Sequence, residues 1–157
     1  MTTITPGDPW RQTHMGYWLA HASIRFDARV LALMAANDSM PLALANLAAR
    51  GQLTASHVHI TRHLDLAGSR LTELAARAGV SKQAMGKLVD QCEAWGLVQR
   101  QPDLRDARAC LVMFTPTGLS WLQAFKEAVT QAQIELQEAV GAEVATVMAI
   151  GLEAYAA

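Results

Sequence analysis

Residues 71–96, LTELAARAGVSKQAMGKLVDQCEAWG, constrain this chain more than any other stretch. Two short amphipathic segments meet at Gly79. The first turns Leu74, Ala75 and Ala78 to one face, and the second repeats Met85, Leu88, Val89 and Cys92 at three- and four-residue spacing. A glycine at the junction supplies the positive φ that ends a helix, and Ser81 beyond it is a strong N-cap. Thr72 is placed to cap the first segment and Gly96 to close the second. Two helices joined by so short a turn make a helix-turn-helix. Immediately downstream, Leu97-Val98 and Ala109 to Phe114 read as two apolar strands, with a charged hairpin, or wing, between them.

The flanks read as helices. Trp18, Ala22, Phe26, Val30, Leu33 and Met34 recur at helical spacing, and nothing from Trp10 to about Ala36 interrupts them, which predicts one long helix. Asn37-Asp38-Ser39 ends it. Pro41 suits the first turn of a shorter helix carrying Leu42, Leu44, Ala45, Leu47 and Ala48 to a stop at Gly51. Thr54 caps a third helix with Val58, Ile60, Thr61 and Leu64, which ends in the loop Asp65 to Gly68. Beyond the wing, a long helix from Pro116 to about Ala139 carries Leu119, Leu122, Phe125, Val129 and Ile134 or Leu136. A last helix, Ala142 to Tyr155, is apolar on most sides. The expected organisation is a flexible arm (1–9), N-terminal helices (10–53), a winged helix-turn-helix (54–115) and C-terminal helices (116–157). The fold class is mainly α with a two-stranded wing. Terminal helices with that much apolar surface predict a homodimer in which they interlock.

The formal net charge of −1 argues against an RNA-coating or histone-like protein, but the distribution is uneven. From Gly68 to Arg108 there are seven cations (Arg70, Arg77, Lys82, Lys87, Arg100, Arg105, Arg108) against five acids (Glu73, Asp90, Glu93, Asp103, Asp106). From Ala109 onward Lys126 stands alone against Glu127, Glu135, Glu138, Glu143 and Glu153. A basic module and an acidic tail suit a partner with phosphates. No secretory signal and no membrane-spanning run is visible, so a soluble, cytoplasmic protein is expected.

A helix that enters the major groove needs short polar residues near its N-terminus, to read base edges, and cations beside them for phosphates. Ser81, Lys82, Gln83 and Lys87 meet that description, and Gln83 suits adenine. Gly86 costs about 1 kcal/mol relative to alanine in mid-helix. Close approach of another backbone, or a helix-packing contact, would explain it. On the wing, Arg105 and Arg108 lie three apart with Asp103 and Asp106 placed to hold guanidinium groups, and arginine is drawn to narrow minor grooves.

The run from Leu71 to Gly118 resembles the winged-helix core of the multiple-antibiotic-resistance regulator (MarR) family. The likeness is most specific at Glu73-Leu74-Ala75, at Gly96-Leu97-Val98 with Arg100, at Asp103 to Arg108 and at Leu111 to Gly118. It implies a homodimeric transcription regulator, usually a repressor, on a palindromic operator in double-stranded DNA, released by a small and often aromatic molecule. Ser81, Gln83 and Lys87 would contact the major groove, and Arg105 and Arg108 would belong to the wing, with Asp106 positioning an arginine. Ala107 stands where the family commonly has glycine, Gly86 where it has a small hydroxyl residue and Cys92 where it has a larger aliphatic one.

By the family's usual pocket location, Trp18, His21, Arg25 and Phe26 on the first long helix and His57 and Thr61 on the third are the effector candidates, with Arg25 pairing a carboxylate. His59 and His63 have metal-compatible spacing, but nothing specifies further ligands, so no metal and no cofactor is expected. Cys92 and Cys110 form no metal or disulfide motif. Cys92 reads as an inert core residue, and the first helix lacks the cysteine carried by the family's oxidation sensors. No phosphate loop, nucleophile elbow or carboxylate pair suggests an enzyme. The competing reading is a winged helix used for protein contacts, with no specific DNA.

Overall fold

A computed structural model describes residues 7–38 and 40–157, so most of the expected arm lies outside the described residues. In chain order the elements are α1 (Trp10–Thr13), α2 (Met15–Ala35), α3 (Leu42–Ala49), a 3-10 turn (Ala55–His57), α4 (Val58–His63), β1 (Ser69–Arg70), α5 (Leu71–Ala78), α6 (Lys82–Ala94), β2 (Val98–Asp103), β3 (Asp106–Phe114), α7 (Pro116–Val140) and α8 (Ala142–Ala156). The single helix expected from Trp10 is broken at His14. That residue is extended (ψ 157°), and its ring Nδ1 accepts the Tyr17 N–H at 3.2 Å. Imidazole is outside the usual set of N-caps, so the break carries no familiar signal.

The helix-turn-helix is α5 and α6. Gly79 ends α5 at φ 66°, and the Ser81 hydroxyl accepts the Ala84 N–H at 3.1 Å to cap α6. Thr72 is not the cap of α5: the helix begins one residue earlier, at Leu71, with Arg70 as its N-cap residue and the Glu73 carboxylate accepting the Arg70 N–H. The cause is a strand that the sequence pattern does not predict. β1 pairs antiparallel with β3, Ser69 opposite Val112 and Arg70 opposite Leu111, so the chain is extended up to the residue where α5 starts. The sheet is therefore three-stranded, in the order β1-β3-β2. The wing strands are also longer than expected. β2 and β3 stay paired from Val98 opposite Phe114 out to Asp103 opposite Asp106, which leaves only Leu104 and Arg105 as the tip.

One apolar cluster joins the flanks to the winged module. Val30 and Met34 of α2, Leu44 of α3 and Ile60 of α4 pack with Leu74, Met85, Val89 and Leu97 and with the wholly buried Trp121 of α7. On α7 the buried face is Trp121, Ala124, Ala128 and Ala132, not the stripe of larger residues from Leu119 to Val129. Small residues let α2 approach closely, and the larger ones line an open groove on a neighbouring face of α7. Two polar contacts set the register of the pair. Arg29 donates to both carboxylate oxygens of Glu135 (2.7 and 2.8 Å), and Asn37 donates to Glu127 at 2.7 Å. Contacts 29 to 135 and 37 to 127 run in opposite directions, so α2 and α7 are antiparallel.

α7 begins directly on the winged module. Thr115 caps it by accepting the Gly118 N–H, and the Thr115 N–H donates to the Leu97 carbonyl at 3.0 Å. Gly118 is buried against that same carbonyl, and an added Cβ would sit 1.9 Å from the Leu97 oxygen. At the other end α8 buries only Ala145, while Val147, Ile150 and Tyr155 are among its exposed side chains. Among the described residues, no single helix is long and apolar enough to cross a membrane.

Replacing Gly118 with alanine forces the α7 N-terminus off the Leu97 carbonyl, and overpacking of this kind costs about 1–3 kcal/mol. A urea titration reads the expected fall in midpoint.

Candidate nucleic-acid interface

The geometry of α6 follows from its cap. Because Ser81 is used at the N-cap, Lys82, Gln83 and Lys87 fall on the first turns, and all three side chains are exposed, opposite the buried Met85, Val89 and Cys92. The Ser81 oxygen accepts the Ala84 N–H, which leaves its own hydrogen available for a phosphate.

The seven cations of the module divide into two kinds. Arg70 pairs with Asp103, Arg77 with Asp65, and Arg100 with both Asp90 and Glu93. These are internal clamps. Arg100 fastens the base of the wing to the recognition helix: its Nη2 lies 2.6 Å from Asp90 Oδ1, its other terminal nitrogen bonds Glu93, and its backbone N–H donates to Glu93 at 3.1 Å. The remaining four, Lys82, Lys87, Arg105 and Arg108, make no ion pair among the described residues. The clamps also occupy Asp90, Glu93 and Asp103, so the internal pairs consume most of the module's acid and leave its unpaired charge predominantly positive.

On the wing the acids act differently from the expectation. Asp103 is almost buried. Its Oδ2 accepts from Nε (3.0 Å) and Nη2 (2.7 Å) of Arg70, and its Oδ1 accepts the Arg105 N–H at 2.9 Å. Asp106 accepts the Arg108 N–H at 3.0 Å and lies 3.8 Å from Arg70. The guanidinium they hold is that of Arg70, while for Arg105 and Arg108 they hold the main chain and leave the side chains free. The Arg105 amide, then the Arg70 guanidinium, keep the Asp103 carboxyl below the usual carboxylate range. Arg70 carries no sign of this role in the sequence, because its partner lies 33 residues away across the sheet.

Gly86 does not owe its place to packing: a Cβ there would meet the Leu71 side chain at 3.8 Å, an ordinary contact. Cys92 is buried and its thiol is pushed up to about 12 by desolvation, while Cys110 is exposed on β3.

The effector candidates do not form one cluster with His57. Trp18, His21 and Arg25 are exposed along α2, with the His21 ring tilted against Tyr17, centroids 4.0 Å apart. His57 is closed to a ligand. Its Nδ1 accepts the Thr54 N–H at 3.0 Å, which leaves Nε2–H to donate to Gln91 Oε1 at 2.8 Å, and its ring packs on Trp95. It is a strut between the 3-10 turn and α6. Of the other candidates, Thr61 lines the groove on α7, an opening of about 570 Å³ with Leu66, Leu119, Leu122, Phe125 and Lys126. The sequence pattern gives Leu119, Leu122 and Phe125 as one stripe of a long helix and carries no sign of the groove they line. His59 and His63 stack at 6.0 Å, and burial, then the nearby His59, Arg62 and Arg77, push His63 down. Among the described residues no three metal-capable side chains converge.

Residues 52–109 match the model of the MarR family. That match spans the helix-turn-helix and most of the wing. No curated protein matches the chain closely enough to add to that. The whole fold is that of MarR-type regulators. The transcriptional repressor CouR bound to a 23-mer DNA duplex is 24% identical, with 99% of this chain and 100% of that one covered and a TM-score of 0.71. CouR from Rhodococcus jostii RHA1 bound to p-coumaroyl-CoA is 20% identical, with 92% and 93% covered and a TM-score of 0.68. The apo form of wild-type MarR from E. coli is 22% identical, with 98% of each covered and a TM-score of 0.64.

Two outcomes follow from this geometry. Gly86→Ala should raise stability by up to about 1 kcal/mol, since the site is open and helical. If a phosphate backbone approaches α6 there, the same variant binds DNA more weakly, and paired thermal melts and gel shifts read the opposed signs. For pH, Asp103, Glu127 and Glu135 all have folded values below the ordinary carboxylate range, through the Arg105 amide, the Gln123 side chain and the Arg29 guanidinium respectively. A depressed folded value means the unfolded chain binds protons first. Their stabilisation is full above about pH 4 to 5 and is lost as pH falls below the unfolded values. Melting temperature should therefore fall below that range, less steeply in Glu135→Gln, after an earlier decline that begins as pH drops through about 6.5, where the depressed His63 starts to lose its contribution.

Proposed function

We propose that this MarR-fold protein is a homodimeric transcriptional repressor that binds a palindromic operator and is released by a small ligand. The observation that carries the reading is the sorting of the seven cations. Three are spent on internal clamps, and the four left unpaired, Lys82, Lys87, Arg105 and Arg108, are those expected at phosphates and in the minor groove. With Ser81 and Gln83 at the start of α6 and Asp106 supporting the wing, they form a DNA-binding set.

In this reading residues 54–115 are the DNA-binding unit, and residues 10–53 and 116–157 build the dimer. Support for self-association comes from apolar surface that the chain does not cover. On α8 Val144, Val147, Ile150 and Tyr155 are exposed, and so are Met15, Trp18 and Ile24 on α2. A second copy satisfies both helices at once. The two recognition helices then face half-sites about one helical turn, ~34 Å, apart.

For release, a ligand that binds one spacing of the recognition helices better than another shifts the population toward the form that no longer fits the operator. Trp18, His21 and Arg25 offer aromatic surface and a cation on α2, while His57, held by Thr54 and Gln91, stands apart from them as framework. The groove of Thr61, Leu122 and Phe125 on α7, with Lys126 at its edge, suits an apolar body with an anionic head.

The test is a gel shift of the purified protein on the region upstream of its own gene, repeated across salt. Affinity should fall steeply with salt. The Arg105→Ala/Arg108→Ala variant should weaken all sequences alike and lower the log–log salt slope by about 0.9 for each phosphate that is no longer neutralised. No retardation at low salt sinks the DNA reading and leaves the wing as a protein-docking surface. Sedimentation tests the dimer independently: a monomer at micromolar concentration removes the two-half-site arrangement.

A further inference from the structure

We propose that Arg70 is a positioning residue for the wing, a lock that fixes how Arg105 and Arg108 are presented, although it touches no DNA itself. The inference rests on the DNA-binding reading above and assigns a role to a residue outside the DNA-binding set.

The lock is built from three observations. Asp103 stands at the end of β2, its carboxylate nearly buried, where an unpaired charge is costly. Arg70 supplies the compensation with two donors on Oδ2, and Oδ1 is then free to hold the Arg105 N–H at the tip. The same guanidinium lies 3.8 Å from Asp106, whose other oxygen holds the Arg108 N–H. One cation therefore backs both aspartates, and each aspartate fixes the main chain of one wing arginine.

Placement explains why this matters for binding. Arg70 is also the N-cap residue of α5 and the last residue of β1. The wing tip is thereby tied to the first helix of the helix-turn-helix, while Arg100 ties the wing base to the second. Without Arg70 the two-residue tip keeps its β2–β3 pairing but loses its attachment to the body. Its arginines then sample orientations that must be given up on binding, which lowers affinity while every DNA-facing side chain stays in place.

Arg70→Gln and Asp103→Asn test this together. Asparagine keeps an acceptor for the Arg105 N–H and loses the charge that holds Arg70. Each single variant should weaken operator binding by roughly tenfold, the scale of a charge-assisted hydrogen-bonded pair, and the double variant should be no weaker than either. Amide exchange at Arg105 should accelerate in both, with Val89 and Trp121 unchanged. Three results overturn the proposal. Asp103→Asn binding as tightly as wild type, or tighter, would make Arg70 a direct phosphate contact. Unchanged exchange at Arg105 in Arg70→Gln would mean that the tip is not locked. Acceleration that spreads to the core amides would reduce Arg70 to general stability. If the wild-type protein itself fails to retard DNA, the functional reading falls, while the exchange measurement still decides the lock.

Discussion

The contact on which the rest of this structure depends is the seating of Gly118 against the carbonyl of Leu97. At that point the end of the recognition helix, the base of the wing and the start of the longest helix share a few ångströms. The Leu97 oxygen accepts from the Thr115 backbone, Thr115 caps α7, and the absence of a side chain at Gly118 lets the helix close on the turn. A side chain there would push the start of α7 off the winged module.

Electrostatics in the module follow a related economy. The acids do not neutralise Lys82, Lys87, Arg105 and Arg108; they hold the frame. Asp103 and Asp106 fix the wing through Arg70 and two backbone amides, and Asp90 and Glu93 fix it through Arg100. Pairing between exposed charges contributes little to stability by itself. Its value here is geometric, since the pairs determine which arginines remain free.

Much of the fold is legible in the sequence because local rules and tertiary packing agree. Gly79, Ser81 and Gly96 mark the ends of α5 and α6 where positive φ and capping require them, and Met85, Val89 and Cys92 lie on the buried face of α6 as their spacing implies. The failures have separate causes. β1 is two residues long, too short to show alternation, and it displaces the cap expected at Thr72. His14 breaks the first helix through a ring nitrogen, a cap with little statistical signature. On α7 the larger residues are the ones periodicity would bury, but helix-to-helix distance favours Ala124, Ala128 and Ala132, and periodicity cannot rank two apolar faces of one helix. That Lys82, Lys87, Arg105 and Arg108 are exposed follows from their place on the helix face and the wing. The roles of Arg70 and His57 are not legible in the sequence, since each depends on partners distant in sequence, Asp103 for one and Gln91 for the other.

The stiffness of α7 has a mechanical consequence. Its 25 residues span about 37 Å at the usual helical rise, and beyond Gly118 they contain no glycine or proline. Seated on the recognition module at one end and joined to α8 at the other, it behaves as a lever. A tilt of about 5° displaces the far end by roughly 3 Å over that length. A shift of less than an ångström among the side chains of its open groove, close to the Gly118 seat, is therefore enlarged along the helix toward the turn where α8 begins.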